Sequence, residues 1–350
     1  MYHVILAGGS GTRFWPYSRK TKPKQLLKII GDKSMINLTI DRILQFSTID
    51  KIYIVASKSL CELIYKEVPS IPKSNLIIEP EGRNTAPAIG LAAIHLYKKD
   101  PNAIMSIYPA DQLIENQKEF ANTILLAEDI ANKNSSLITI GIVPTYPATG
   151  YGYIQYKNDD QEGYYQVKTF AEKPPLETAM KFIESGDFLW NAGIFVWKAK
   201  TILLEIKTLM PELHDSLSAI YDSIDTSDYN IVLKQEWQII KSESIDYGIL
   251  EKASNVCSIP GKFKWIDIGS WKSLFDLMKK DNDNYIDGNV ISIDTKDSLI
   301  ISPKKLTAVI GMKDVVIINV NDATLVMPIS RSEEVKDIVN LLTKEKEKYL

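Results

Sequence analysis

The chain is short of several things that would each have pointed to a function. It has two cysteines, Cys61 and Cys257, in 350 residues. They form no CxxC pair and have no histidine cluster beside them, so neither a disulfide framework nor a zinc site is implied. A reducing cytoplasm is the expected setting. The three histidines, His3, His95 and His214, are scattered. No apolar run approaches the ~18 residues of a membrane span, and the first residues lack the basic and apolar regions of a secretory signal, so no membrane partner is expected. An excess of one charge is missing too: Lys plus Arg is 41 against Asp plus Glu at 44, a net of −3. That offers no broad basic face, and no basic stripe interleaves Tyr151, Tyr153 and Tyr156, so nucleic acid is not an expected partner.

What is there is ordinary folded composition, 45% hydrophobic and 24% charged, in a length that suggests about two domains. Short apolar runs at residues 4–7, 52–56, 76–78, 103–108 and 137–143 alternate with helical spacing at 34–46, 85–99 and 119–132. This predicts an α/β fold, a mainly parallel sheet with helices on both faces. From Tyr151 the strands become Tyr- and Phe-rich, at 152–157, 165–170 and 194–197, with a helix at 176–185. They read as a subdomain, about 146–265, inserted in a larger domain of residues 1–280. The polar stretch Asp281-Asn282-Asp283-Asn284 marks the expected boundary. Beyond it, at 285–350, five short strands (290–293, 299–301, 307–310, 315–319 and 324–327) predict a small β-solenoid or sandwich. A charged amphipathic helix over 331–350 is expected to close the chain, with residues 344–348 as its solvated face.

Directly after the first strand comes Gly8-Gly9-Ser10-Gly11-Thr12-Arg13. Its glycines allow backbone N–H groups to crowd a phosphate, and by itself the loop serves equally as a plain tight turn. A Walker A motif is excluded, since no Gly-Lys-Ser/Thr follows at the right spacing. The dinucleotide pattern Gly-x-Gly-x-x-Gly fails because Phe14 occupies the third glycine position. Pro16 and Pro23 stiffen the segment that carries Arg13 and Lys24, a guanidinium and an ammonium suited to a polyphosphate leaving group. Asp111 follows the strand at 103–108, at the sheet edge where such folds bind ligands. Asp267 sits in a turn flanked by Gly and Trp. Lys173, taken by itself, reads as an ion pair with Glu172, and Asn84 or Thr85 as a helix N-cap.

Together these motifs resemble the sugar-1-phosphate nucleotidyltransferases, whose pattern is Gly-Gly-x-Gly-Thr-Arg, then Pro, then Pro-Lys. The narrower likeness is to the mannose-1-phosphate guanylyltransferases. It rests on Glu81-Gly82-Arg83-Asn84-Thr85-Ala86-Pro87-Ala88, Thr149-Gly150-Tyr151-Gly152-Tyr153-Ile154, Phe170-Ala171-Glu172-Lys173-Pro174, Trp190-Asn191-Ala192-Gly193-Ile194-Phe195, Ser244-Ile245-Asp246-Tyr247-Gly248 and Trp265-Ile266-Asp267-Ile268-Gly269-Ser270-Trp271.

The resemblance implies a Rossmann-like nucleotidyltransferase fold with a mixed, mainly parallel sheet and a left-handed β-helix-like C-terminal region. It implies the reaction of GTP with α-D-mannose 1-phosphate to give GDP-mannose and diphosphate, with Mg²⁺ held by Asp111 and Asp267. Arg13, Lys24 and Lys173 are the implied catalytic residues. Leu6, Ala7, Gly8, Gly9, Gly11, Thr12, Arg13, Lys24, Arg83, Asn84, Thr85 and Asp111 are expected at the nucleotide, with Arg83 to Thr85 at the base. Gly152, Glu172, Lys173, Asn191 and Asp246 are expected at the sugar phosphate. One departure is Gln112, where the family usually has His after the first metal-binding Asp; no catalytic role is expected for it. The alternatives are a uridylyl or thymidylyl transferase acting on glucose 1-phosphate, and a non-catalytic nucleotide-sugar-binding homologue. The isomerase domain of longer bifunctional relatives is expected to be missing at this length, and a homodimer is left open.

Overall fold

The structure, a computed structural model, describes residues 1–9, 11–158, 162–279 and 284–350. Ser10 of the glycine loop and Asp281, Asn282 and Asp283 of the expected boundary lie outside the described residues. The strands in chain order are β1 (Tyr2–Leu6), β2 (Ile52–Ser57), β3 (Leu76–Glu79), β4 (Ile104–Pro109), β5 (Gln112–Ile114), β6 (Leu137–Ile142), β7 (Tyr153–Tyr156) and β8 (Tyr165–Ala171). Then follow β9 (Phe188–Lys198), β10 (Val256–Pro260), β11 (Trp265–Asp267), β12 (Tyr285–Ile293), β13 (Leu299–Ile310), β14 (Val315–Asn319) and β15 (Thr324–Pro328).

The chain forms two compact units. The first consists of Met1–Gly8, Thr39–Ala110 and Ile114–Trp265, the second of Gly9–Leu38, Asp111–Leu113 and Ile266–Leu350. The first is built on a nine-stranded sheet of order β3-β2-β1-β4-β9-β6-β10-β8-β7. Its strands β1, β2 and β4 are nearly continuous apolar runs because both sheet faces are covered, which leaves no side for polar alternation. β8 and β9 run against the other seven strands, which makes the sheet mixed, with four parallel pairings and five antiparallel among the described residues. The Tyr- and Phe-rich strands β7 and β8 join this same sheet.

Helix Thr85–Lys99 buries ten of its fifteen residues and is capped at its start by Asn84 Oδ1, which accepts from Thr85 N at 2.9 Å. Such a cap satisfies one of the orphan N–H groups of the first turn.

The second unit has its own apolar core, in which Phe14, Trp15 and Leu27 from the N-terminal loop share a cluster with Trp271, Phe275, Leu299 and Val316. The Phe14 and Tyr17 rings lie 5.1 and 5.7 Å from that of Trp271, whose indole N–H donates to Trp15 O at 3.1 Å. Each such ring pair adds about 0.5–1.5 kcal/mol beyond burial, so the loop carrying Arg13 is anchored immediately after it.

The C-terminal strands form a four-stranded sheet in the order β12-β13-β14-β15, parallel in its first two pairings and antiparallel in the last. Four strands appear in place of five because residues 299–301 and 307–310 belong to one strand, β13. A register shift between Gly288 and Val290 lets β12 follow it. Gly288 has φ +91, and a Cβ there would stand 2.2 Å from Ser302 O, so only glycine fits. The closing helix is Val335–Glu345, shorter than expected: residues 329–334 form a 3-10 turn broken at Arg331, and Lys346 leaves helical geometry. Residues 344–348 are exposed.

Candidate active site

In the second unit the loop residues fold against Lys24. Gly11 has φ +58, and a Cβ on it would lie 2.3 Å from Lys24 Cβ and 3.2 Å from Lys24 N. Glycine is required there by close approach as well as by backbone angle. Gly9 is also left-handed, at φ +117, and its carbonyl accepts from Gln25 Nε2 at 3.0 Å. Thr12 and Arg13 open a 3-10 turn that ends at the buried Phe14.

Lys24 is almost fully buried, and its ammonium lies 2.6 Å from Asp111 Oδ2 and 5.5 Å from the Phe14 ring. A buried ammonium needs such a partner. Arg13 Nε meets Glu333 Oε2 at 2.8 Å, both side chains being about half exposed or more. Asp267, partly exposed, has its carboxyl pushed up to about 6. Loss of solvation is the larger cause and the negative charge of Asp111 the second, with Lys24 and Arg13 pulling the other way. Thus Gly9, Gly11, Thr12, Arg13, Lys24, Asp111 and Asp267 come together in one unit.

Leu6, Ala7 and Gly8 end the first strand in the other unit, and beside Gly8 lies a residue the sequence reading missed. Glu79, the last residue of β3, is 4% exposed, and its Oε1 lies 3.0 Å from where a Cβ on Gly8 would be. Burial pushes its carboxyl up to about 7. A carboxylate closing an otherwise apolar parallel strand, followed by Pro80, was the available signal.

The turn that follows is spent largely on its own structure. Asn84 caps the helix with φ +69, Arg83 pairs with Glu81 at 3.0 Å, and Thr85 Oγ1 accepts from Ile245 N at 2.8 Å. Backbone bonds from Ala86 N to Glu243 O and from Glu243 N to Arg83 O tie this turn to the segment that carries Asp246.

The expected sugar-side residues also converge. Asn191 N donates to Gly152 O at 2.8 Å, and Asn191 Nδ2 donates to Asp246 Oδ1 at 2.8 Å. Asn191 Oδ1 accepts from Thr139 Oγ1 at 3.1 Å and from Gly193 N at 3.0 Å. The amide is therefore held in one orientation, and Thr139 joins the cluster as a residue the sequence reading missed. A Cβ on Gly152 would fall 2.5 Å from Glu172 Oε2, so its glycine keeps room for that carboxylate. Asp246 is pushed up to about 6 by desolvation first and by Glu172 second. Lys173, at φ +48, is 61% exposed and pairs with Glu172, the ion pair its local sequence suggested. Gln112 is buried at the start of β5.

With this geometry in hand, comparison with known proteins is informative. A family model described as nucleotidyl transferase matches residues 2–284. The chain belongs to the nucleotidyl transferase family. A second model, described as the MannoseP isomerase/GMP-like beta-helix domain, matches residues 288–342. A mannose-1-phosphate guanylyltransferase of Salmonella montevideo is 35% identical over 351 residues, covering 98% of this chain and 74% of its own length. The crystal structure described as a mannose-1-phosphate geranyltransferase from Thermus thermophilus is similar with a TM-score of 0.88 and 26% identity, over 98% of this chain and 99% of that one. One described as mannose-6-phosphate isomerase from Helicobacter pylori has a TM-score of 0.63 and 28% identity, over 76% of this chain and 99% of that one. This nucleotidyltransferase therefore has the Rossmann-like fold and β-helix-like C-terminal region that its motifs implied.

Proposed function

We propose that the chain transfers a guanylyl group from GTP to α-D-mannose 1-phosphate, giving GDP-mannose and pyrophosphate. The observation that carries the reading is the charged cluster of Lys24, Asp111, Arg13 and Asp267 folded onto the glycine loop. A phosphate oxygen of the sugar would attack the α-phosphorus in line. The bond from that phosphorus to the bridging oxygen would break, and pyrophosphate would leave with the electron pair. No protein nucleophile is needed, so the work is positioning and charge neutralisation. Lys24 and Arg13 would meet the charge that grows on the leaving group. Lys173 is exposed enough to exchange Glu172 for the sugar phosphate, with Glu172, Asn191, Asp246 and Gly152 around the sugar.

Asp111 and Asp267 suit Mg²⁺. Both offer hard oxygen donors, and the charge of Asp111 is felt at Asp267, second only to desolvation in raising its proton affinity. Among the described residues no group of three or more His, Cys, Asp or Glu converges on a metal position. Mg²⁺ needs only one or two carboxylates, its coordination being completed by phosphate oxygens and water. When bound, it would supply charge neutralisation on the phosphates.

The choice of guanine is supported by Glu79. Guanine presents N1–H and N2–H donors side by side, and a carboxylate accepts both. Uracil and thymine offer one donor between two acceptors, so a carboxylate facing them would meet an unpaired oxygen. The buried cysteines Cys61 and Cys257, neither of them in a disulfide, suit a reducing, cytoplasmic setting. The deciding test is pyrophosphate release with GTP, ATP, UTP and dTTP in parallel, each with mannose 1-phosphate and with glucose 1-phosphate. Preference for any pair other than GTP and mannose 1-phosphate would refute the reading. Isomerisation consumes no nucleotide, so GTP-dependent pyrophosphate release also separates this chemistry from that of the isomerase-named neighbour.

A further inference from the structure

A cavity of about 370 Å³ lies within the second unit, walled by the segment from Pro16 to Lys22, by Pro303 and Lys304 in β13, and by the turn between β14 and β15. Its volume is that of a small-molecule site. The charged groups on its wall are Arg19, Lys22 and Lys304 against the single carboxylate of Asp322, with Tyr17 and Asn321 beside them.

Arg19 is held rigidly. Its Nε donates to Pro16 O at 2.9 Å, Nη2 donates to Asp322 Oδ1 at 2.8 Å and Nη1 donates to Tyr349 O, while the guanidinium stands 5.5 Å from the Trp15 ring centre. A guanidinium has five N–H donors, and these contacts use three. Its side chain is only 15% exposed. Neither Lys22 nor Lys304 has an acidic partner among the described residues. Two unpaired ammonium groups sharing a concave wall with a locked guanidinium repel one another, and an anion between them removes that repulsion.

We propose that this cavity binds the diphosphate group of a small molecule, either free pyrophosphate or a nucleoside diphosphate. The remaining Arg19 donors would take one phosphate and Lys22 and Lys304 the other, matching the excess of cations on the wall. A diphosphate fits better than a monocarboxylate, which would leave one lysine uncompensated. The segment lining the cavity runs on through Pro23 to Lys24, so an occupant would touch the same stretch of chain that presents the catalytic ammonium. The site is independent of which base and sugar the reaction centre takes.

Calorimetric titration of the full chain in chelator, with inorganic pyrophosphate and separately with GDP, tests this. Wild type should show an event that Lys22→Ala/Lys304→Ala weakens tenfold or more while its melting temperature stays unchanged. Lys304→Glu alone serves as a second variant should the double change unfold the chain. Lys24→Ala should keep this event and, when the titration is repeated with Mg²⁺ in place of chelator, lose the event that belongs to the reaction centre; if that variant loses nothing in Mg²⁺, the reaction-centre assignment fails and this one stands. Tighter GDP than pyrophosphate identifies a nucleotide ligand, with Tyr17 as the wall for its base, and equal affinity identifies the free diphosphate. A binding pattern that the lysine variants leave unchanged, or no binding of either probe, overturns the site.

Discussion

Around the glycine loop of the second unit the working groups are ionised and paired: Lys24 sits on Asp111, Arg13 on Glu333, and Asp267 feels both cations. In the first unit they are mostly locked by hydrogen bonds. Asn191 uses both ends of its amide, and burial raises the proton affinity of Asp246 and Glu79, as it does that of Asp267 in the second unit. Opposite charges held near one another are suited to charge that appears only in the transition state, whereas groups fixed in orientation by hydrogen bonds are suited to reading a ground-state shape. The difference predicts that mutations in the second unit act on kcat and those in the first on KM.

The largest effect should come from Asp267→Asn or Asp111→Asn. If these carboxylates hold Mg²⁺ as proposed, losing one forfeits several kcal/mol of charge stabilisation, so turnover should fall by roughly 10³ or more; the melting curve should stay nearly unchanged for Asp267→Asn and drop for Asp111→Asn, which leaves buried Lys24 without its partner. A near wild-type rate in either variant, or activity that survives EDTA, would remove the metal from the reaction. Next, Arg13→Ala should lower kcat by about 10² to 10³, as for loss of one preorganised donor, and leave the KM for mannose 1-phosphate alone. An effect confined to that KM would put Arg13 on the other substrate and erase the contrast between the units.

Glu79→Gln probes the first unit. Losing one charge-assisted hydrogen bond should weaken GTP by roughly 10 to 10² and narrow its advantage over UTP, with kcat at saturation little changed. The pH dependence has a definite sign. In the proposed contact the carboxylate form would accept guanine's two donors, and its proton comes on as pH falls through about 7. The KM for GTP should therefore rise below that pH, by at most about tenfold per unit, while Glu79→Gln should be flat there. An identical profile in both proteins would remove Glu79 from the base site. The smallest effect is expected for Lys173→Ala, because the ammonium is well exposed and solvent screens it. The KM for mannose 1-phosphate should rise about tenfold while calorimetric GTP binding stays within a few fold; loss of GTP binding in a folded variant would reverse the assignment.

Much of this was legible in the chain because it rests on local rules. Apolar runs without alternation must be strands covered on both faces, and these are β1, β2 and β4. The glycine loop was legible by its spacing, and the N-cap at Asn84 by residue type. The merging of residues 299–301 and 307–310 into β13 was not, since the pairing with β12 skips residues 303–306 and only the shift between Gly288 and Val290 lets one strand pair on both sides of them.

By itself the sequence determined which residues were available for phosphate chemistry, since Gly11, Arg13 and Lys24 lie close together in one proline-stiffened stretch. It also determined the strands, whose hydrophobic pattern is local. Only the tertiary structure decided what those groups face. Glu333 meets Arg13 from the far end of the chain, Asp111 reaches Lys24 after an excursion through the other unit, and Glu79 acquires its raised proton affinity only by burial beside Gly8. The physical reason is that burial and Coulomb partners depend on distances in space between groups far apart in sequence, and no local pattern encodes those distances.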